Sequence, residues 1–459
     1  MKLLTRRALV IMVLALAVIS GLLIFTVRYL GEASRWVQHS ANRHLYTNGQ
    51  LKAAGTIYDR NGEVLMQTVD GTVHYHENQA VRAALMHAVG DPDGNVVTGA
   101  RVVWGKRLAG WNLLQGAYRF NQRLNHFSSD IKMTLDAELC AVAYNALNGR
   151  KGAVGVYNYK TGEILCMVST PTFDPRHPPD IDKEPERYEG VYINRFLSAA
   201  YTPGSVFKLV TAAAAIDNLE NIDSLVFQCS GRTVIDGEVV NCPTAHGKVG
   251  FEEALAKSCN VAFAQIALAV GADALQTYAD KAGFNSCLEV NGIKTRVGQV
   301  DVKDARRPDL AWAGIGQYKN TANPLNFMVY MGAIANDGVR IEPKLIKDSL
   351  FLRLVRSAAS KERVLSPETA MRLGSMMRNN VISSYSEGQY RGLELCAKSG
   401  TAEVGGNRMP HAWFAGYMER EDCPLAFVVV VENGGGGSRV AGPVAQKVLQ
   451  AALNRYTGE

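Results

Sequence analysis

The chain of 459 residues is long enough for two or three domains, and with 47% apolar and 20% charged residues it has the composition of a folded protein. That balance excludes a chain too polar to build a core. The formal net charge of +6 is spread along the sequence, so nothing points to nucleic acid, and a solvated surface is expected.

Residues 8–27 carry no charge, and at ~1.5 Å per residue they reach across the ~30 Å hydrocarbon core of a bilayer. Lys2, Arg6 and Arg7 precede them, which predicts a cytoplasmic N-terminus and export of the rest of the chain. The run exceeds the ~7–15-residue core of a cleaved signal peptide, and no convincing small-x-small site comes after it. Residues 1–29 are therefore expected to be a short cytoplasmic tail and transmembrane signal-anchor. Residues 30–130 contain short alternating runs punctuated by Asp59-Arg-Asn-Gly62 and Asp91-Pro-Asp-Gly94, and are expected to form an extracytoplasmic stem.

A third domain, 131–459, opens with helical apolar spacing over Thr134–Leu147. Two strands come next, then a long helical middle from 204 to 375. Three strands near 395–404, 411–419 and 425–434 form a meander, and a helix over Val440–Tyr456 closes the chain. Early strands, a helical insertion and late strands predict an α+β fold, with an antiparallel sheet flanked by helices and a helical lobe beside it.

Three short motifs stand in order within this domain. Tyr201-Thr-Pro-Gly-Ser-Val-Phe-Lys208 runs into an alanine-rich stretch that favours helix, which sets Ser205 at a helix N-terminus. Residues three apart share a helix face, so the Lys208 amine reaches the Ser205 hydroxyl and acts as its base if its pKa is lowered. Ser258-Cys-Asn260 places two polar side chains two residues apart; both face one site only from a connector between helices. Lys398-Ser-Gly-Thr401 lies on a strand, where Lys398, Ser399 and Thr401 suit a carboxylate and Gly400 lets a substrate backbone come close. Each motif alone has a bland reading as a cap or a turn. Their conjunction, at intervals of 53 and 140 residues, supplies a nucleophile, a base, a relay and an anion-binding strand.

Eight cysteines in an exported chain raise the question of disulfides. Cys229 and Cys242 flank an expected hairpin and are the one suggestive pair; the other six lie in apolar stretches and are expected to be small buried thiols. No Cys-x-x-Cys or Cys/His spacing for a metal is found, and no cofactor is expected. His246 and His411 are expected to be structural. Gly434-Gly-Gly-Gly437 is expected to be a connector and not a phosphate cradle.

The motif set resembles that of the penicillin-binding proteins, specifically class B, which carry a transpeptidase but no glycosyltransferase domain. The likeness extends to Ser169-Thr-Pro-Thr-Phe-Asp-Pro175, Gly314-Ile-Gly-Gln317, His411-Ala-Trp-Phe414 and, in the stem, Ile57-Tyr-Asp-Arg-Asn-Gly-Glu-Val-Leu65. Val206 and Thr202 depart from the usual residues of the first motif, and Cys259 and Ser399 fill positions that vary in class B. The resemblance implies a serine penicillin-recognising fold with a five-stranded sheet and a membrane-anchored D,D-transpeptidase. It implies peptidoglycan stem peptides ending in D-Ala-D-Ala as substrate, β-lactams as covalent inhibitors, and a polytopic membrane glycosyltransferase as partner. On that reading Ser205 attacks, Lys208 takes its proton, Ser258 relays a proton to the leaving D-alanine, and Asn260 positions Lys208 and the substrate. Lys398, Ser399, Gly400 and Thr401 form the substrate-binding strand. A D,D-carboxypeptidase, a β-lactamase or β-lactam sensor, and a scaffold recruiting the glycosyltransferase stay open as alternatives.

Overall fold

The structure is a computed structural model, and it describes residues 2–37, 46–47, 50–51, 54–69, 72–108, 130–347 and 361–458. Several stretches of the expected stem, 109–129 the longest, lie outside the described residues. Helix α1 spans Lys2–Val37. Its apolar part, Thr5–Arg28, is 24 residues long with none of it buried, so the apolar side chains have no protein core to enter. At ~1.5 Å per residue it is long enough for a ~30 Å bilayer core, which makes it compatible with a single-pass anchor.

The chain divides into two compact units, the smaller comprising 1–58, 66–75 and 104–131 and the larger 59–65, 76–103 and 132–459. In the smaller unit an antiparallel hairpin pairs Met66 with Tyr75 and Val69 with Thr72.

In the larger unit five strands form the expected antiparallel sheet: β1 (Gly152–Asn158), β2 (Ile164–Thr170), β3 (Leu395–Ala402), β4 (His411–Met418) and β5 (Leu425–Val431). Their order is β3-β4-β5-β1-β2, which leaves β3 at an edge. Every residue of β5 is buried, as its uninterrupted Leu-Ala-Phe-Val-Val-Val-Val run requires of a strand covered on both faces. The helix Pro324–Ala335 packs across β1, β4 and β5. The approach is close: a Cβ on Gly332 would lie 2.1 Å from the Tyr157 hydroxyl.

Helix α2 (Gln79–Val89) belongs to the larger unit and packs on α3 (Ala137–Leu147). Arg82 of α2 forks onto Asp174 through two hydrogen bonds of 2.7 and 2.6 Å, both side chains nearly buried. Hydrogen bonding from Arg82 holds the Asp174 carboxyl down at about 2. The closing helix, Gly437–Thr457, starts three residues earlier than its apolar spacing suggests, and packs on α3 and the sheet.

The region between 204 and 375 is less uniformly helical than its composition predicts. Helices α4 (Lys208–Asn218), α5 (Phe251–Ala256) and α6 (Asn260–Val270) are interleaved with small two-stranded ladders. The hairpin expected between Cys229 and Cys242 is one of them, Arg232–Ile235 paired with Glu238–Asn241. Its turn residues Asp236 and Gly237 both have positive φ, at 48° and 87°, the geometry that matches strand twist in a two-residue loop.

Candidate active site

Ser205 lies in a 3₁₀ turn, Gly204–Phe207, that runs without a break into α4. The expected helix N-terminus is thus a tighter turn, in which side chains i and i+3 eclipse. Lys208 Nζ accordingly stands 3.1 Å from Ser205 Oγ. Gly204 has φ +56°, and a Cβ there would meet the Thr401 carbonyl at 2.7 Å, so glycine is what lets this turn press against β3. The turn is fixed from two sides: Gly204 N–H donates to the Gly316 carbonyl at 2.9 Å, and Trp413 Nε1–H donates to the Thr202 carbonyl at 2.9 Å.

Ser258 sits in the connector between α5 and α6, as the two-residue spacing predicts, with a left-handed φ of +54°. Asn260 is the first residue of α6. From this turn the Ser258 carbonyl lies 2.7 Å, Ser258 Oγ 3.1 Å and Asn260 Oδ1 2.8 Å from Lys208 Nζ. The Asn260 amide is oriented by donating from Nδ2 to the Asn241 carbonyl at 2.9 Å. With Ser205, four oxygens surround a nitrogen that has three hydrogens as ammonium. As a neutral amine it has two and a lone pair, so one hydroxyl then donates to it. Lys208 is fully buried, and burial, aided by the charge of Lys398, pulls its pKa well below the ordinary lysine value.

Lys398 comes from edge strand β3 and is also fully buried. Its Nζ donates to Ser258 Oγ and to the Ser399 carbonyl, each at 3.1 Å. Burial lowers its pKa to about 7. Ser258 Oγ therefore lies between two lysine nitrogens, hydrogen-bonded to both. Ser205, Ser258, Asn260, Ser399 and Thr401 line one cleft together with Asn241, Trp312 and Gln317.

Gly400 differs from its expected use. It is buried, and the backbone that approaches it closely is protein: a Cβ there would meet the Pro203 carbonyl at 2.7 Å. The small residue serves the packing of the first motif onto the third. Gly437, expected in the connector, instead opens the closing helix, where a Cβ would stand 2.3 Å from the Gly400 carbonyl. Its N–H donates to Thr401 Oγ1 at 3.3 Å.

Tyr385 is a site residue that no motif announces. Ser399 N–H donates to its hydroxyl at 2.9 Å, and the two hydroxyls lie 3.0 Å apart. It arrives from a π-helical turn, Val381–Ser386, that has no sequence signature. His411 is structural as expected: its Nδ1 accepts from the Asn433 N–H at 3.1 Å, and its ring packs edge-on to Tyr201.

One cysteine differs from expectation: Cys287, counted among the buried thiols, is exposed. Cys229 and Cys242, the suggestive pair, are both free thiols. They converge with His246 and Cys259, and Cys242-Pro-Thr-Ala-His246 is a Cys-x3-His spacing that the reading of the sequence passed over. Cys229 is distant from Cys242 in sequence because the Arg232–Asn241 hairpin lies between them.

Comparison with known proteins agrees with this geometry. Residues 152–450 match the family model of the penicillin binding protein transpeptidase domain. The chain is 28% identical over 378 residues to the peptidoglycan D,D-transpeptidase PbpA of Mycolicibacterium smegmatis, covering 73% of this chain and 76% of that one. Among solved structures, the D,D-transpeptidase domain of a peptidoglycan glycosyltransferase from Eggerthella lenta matches with a TM-score of 0.73 at 26% identity, over 88% of this chain and 98% of the other. Penicillin-binding protein A from M. tuberculosis, as its ceftriaxone acyl-enzyme, shares the fold with a TM-score of 0.73 at 23% identity, over 87% and 98%. A serine and a buried lysine one turn apart, a second lysine on an edge strand and a family match over most of the chain lead to one conclusion: the chain belongs to the penicillin-binding protein transpeptidase family, as a class B member.

Proposed function

We propose that the protein is a membrane-anchored serine D,D-transpeptidase that cross-links peptidoglycan stem peptides through an acyl-enzyme on Ser205. The observation that carries this reading is the hydrogen-bonded line Ser205–Lys208–Ser258–Lys398 within one cleft. Ser205 Oγ attacks the carbonyl between two terminal D-alanines while neutral Lys208 takes its proton. The tetrahedral oxyanion is held by the backbone N–H groups of Ser205 and Thr401, a kind of donor worth ~10²–10³ in rate each. As the intermediate collapses, the carbonyl-to-nitrogen bond breaks and Ser258 relays the proton to the leaving amine. The amine of a second stem peptide then attacks the ester, gives up a proton along the same line, and frees Ser205. Lys398, Ser399 and Thr401 hold the terminal carboxylate, whose charge restores the ammonium on Lys398. A β-lactam, with its strained amide beside a carboxylate, takes the same path as far as the acyl-enzyme.

Supplying the full-length protein with glycan strands bearing pentapeptides tests the reaction class. Cross-linked muropeptide dimers are the expected product. Uncrosslinked tetrapeptides alone would make it a carboxypeptidase, and no change in the glycan would leave the scaffold reading.

The catalytic domain stands on the extracytoplasmic side, by the positive charge of Lys2, Arg6 and Arg7 ahead of the apolar helix. A polytopic glycosyltransferase binds the anchor and the 30–130 stem, since the catalytic cleft joins peptides and polymerises no glycan. Co-purification from membranes is expected to recover such a partner, and deletion of 30–58, which spares the residues that belong to the larger unit, to abolish it. Recovery unaffected by the deletion would refute that contact.

A further inference from the structure

We propose that Tyr385 is a positioning residue for the acyl donor: its hydroxyl donates to Ser399 Oγ, so that Ser399 turns its own proton into the cleft as a donor to the terminal carboxylate. This role rests on the proposed transpeptidase function and adds to it a group that none of the three motifs contains. Two hydrogen bonds define the position. Ser399 N–H donates to the Tyr385 hydroxyl at 2.9 Å, and the Tyr385 and Ser399 hydroxyls stand 3.0 Å apart. The ring lies edge-on to Phe414 with 5.5 Å between centroids, and Phe414 is the residue of β4 directly opposite Ser399.

The proton count fixes the direction of the second bond. A backbone N–H only donates, so the phenol oxygen accepts from Ser399 N–H and still carries one proton. Among the described residues, Ser399 Oγ is the one hydrogen-bond partner left for that proton. In the reverse direction, with Ser399 donating, the phenol would accept twice and leave its own proton unpaired, which costs free energy away from water. Burial raises the Tyr385 pKa, so the proton stays on the oxygen through neutral pH. Once Ser399 accepts, its own O–H has no acceptor among the described residues, and Ser399 lines the cleft. A donor without a protein partner calls for an acceptor on the ligand. Tyr385 O–H to Ser399 O–H to carboxylate is then a chain in which each bond strengthens the next.

The elements around Tyr385 fit a donor chain that ends at this point. In edge strand β3 alternate residues turn their backbone groups to the same side, so 395, 397, 399 and 401 share the open one. From the helix Pro367–Asn380, Arg378 Nη1 donates to the Leu395 carbonyl at 3.2 Å and Asn380 Nδ2 to the Ala397 carbonyl at 3.0 Å. Tyr385 accepts from the Ser399 N–H, and Lys398 Nζ donates to the Ser399 carbonyl. Side chains thus close the edge as far as Ser399, and it meets the cleft at Thr401. A peptide laid along it has no backbone partner beyond Ser399, which suits a terminus that accepts a hydroxyl proton. The turn that carries Tyr385 is tied down on its other side, where Ser384 Oγ donates to the Ala256 carbonyl at 2.9 Å. Ser386, next in the chain, has φ +67°, which a residue with a side chain keeps only where its surroundings impose it.

Two acyl donors separate this role from a structural one. One is an N-acyl-D-alanine thioester of thioglycolate, whose carboxylate stands in for that of the terminal D-alanine; the other is the same thioester with that carboxylate as its methyl ester. Release of the thiol by the full-length protein in detergent gives kcat/KM for both. Tyr385→Phe keeps the ring against Phe414 and removes the hydroxyl. It is expected to lower kcat/KM for the charged donor by roughly 10–100-fold, the worth of a hydrogen bond to a charged group, and by at least about fivefold less for the neutral one. In a Ser399→Ala background the same change is expected to cost less than about twofold, because the hydroxyl it orients is gone. Equal losses with both donors, or an undiminished loss in the Ser399→Ala protein, would make Tyr385 a packing residue and overturn the role. Wild-type protein that releases thiol from neither donor overturns the transpeptidase reading itself, and the role with it.

Discussion

Ser205→Ala loses covalent labelling by a fluorescent penicillin, with a fall in acylation rate on the order of 10⁶, the scale seen when a serine nucleophile is removed from its constellation. The loss comes from chemistry and not from unfolding. Ser205 Oγ has a hydrogen bond from Lys208 Nζ, and Lys208 keeps its three other partners when that oxygen goes. The melting temperature of the variant should therefore stay within a few degrees of the wild type, since replacing such a residue falls in the range of ordinary surface changes. Stoichiometric labelling of the alanine protein would move the nucleophile elsewhere and sink the assignment.

The two lysines separate under substitution and under pH. Lys208→Arg replaces the amine hydrogen-bonded to Ser205 Oγ with a guanidinium, which does not deprotonate, and should lower acylation by ~10²–10⁴, the usual worth of a general base. Lys398→Arg keeps the positive charge beside Ser258 but changes its geometry, so it should acylate slowly and retain measurable activity. The pH profile is set by the direction of each shift. Lys208 must be neutral, so the rate climbs as pH rises through its strongly lowered pKa. Lys398 must be charged, so the rate for free enzyme falls as pH rises through about 7. A bell results, and Lys398→Arg should erase its alkaline limb, since arginine stays protonated there. Acylation rates of the three proteins across pH decide the matter: equal rates for Lys208→Arg and Lys398→Arg would exclude Lys208 as the base.

The lowered pKa of Lys398 also links charge to substrate. At neutral pH its ammonium is shared with the neutral form, and an arriving carboxylate raises its proton affinity. The anion-binding strand is thus expected to be fully charged only when occupied. Meanwhile a cation held at Ser258 keeps depressing Lys208, which preserves the base through the acylation step.

Much of the molecule is legible from residues alone because the signals are local. The uncharged run at 8–27 needs only length and composition to be read as a span, and α1 has that character. The β3–β4–β5 meander is evident from apolar runs separated by short polar breaks, and the connector at Ser258 from the impossibility of two side chains at i and i+2 sharing a helix face. The pairing of Ser205 with Lys208 needs one turn of helix. What tertiary structure decided involves groups distant in sequence. Gly400 reads in the sequence as room for substrate, but its neighbour is Pro203, brought there by packing that spans 197 positions. Tyr385 reaches Ser399 from a π-turn, and Cys229, Cys242, His246 and Cys259 meet because a hairpin folds out between two of them. The pKa values of Lys208 and Lys398 lie in the same class. A lysine's type and position say that it can be a base, but burial sets its proton affinity, and burial is a property of the whole packed domain.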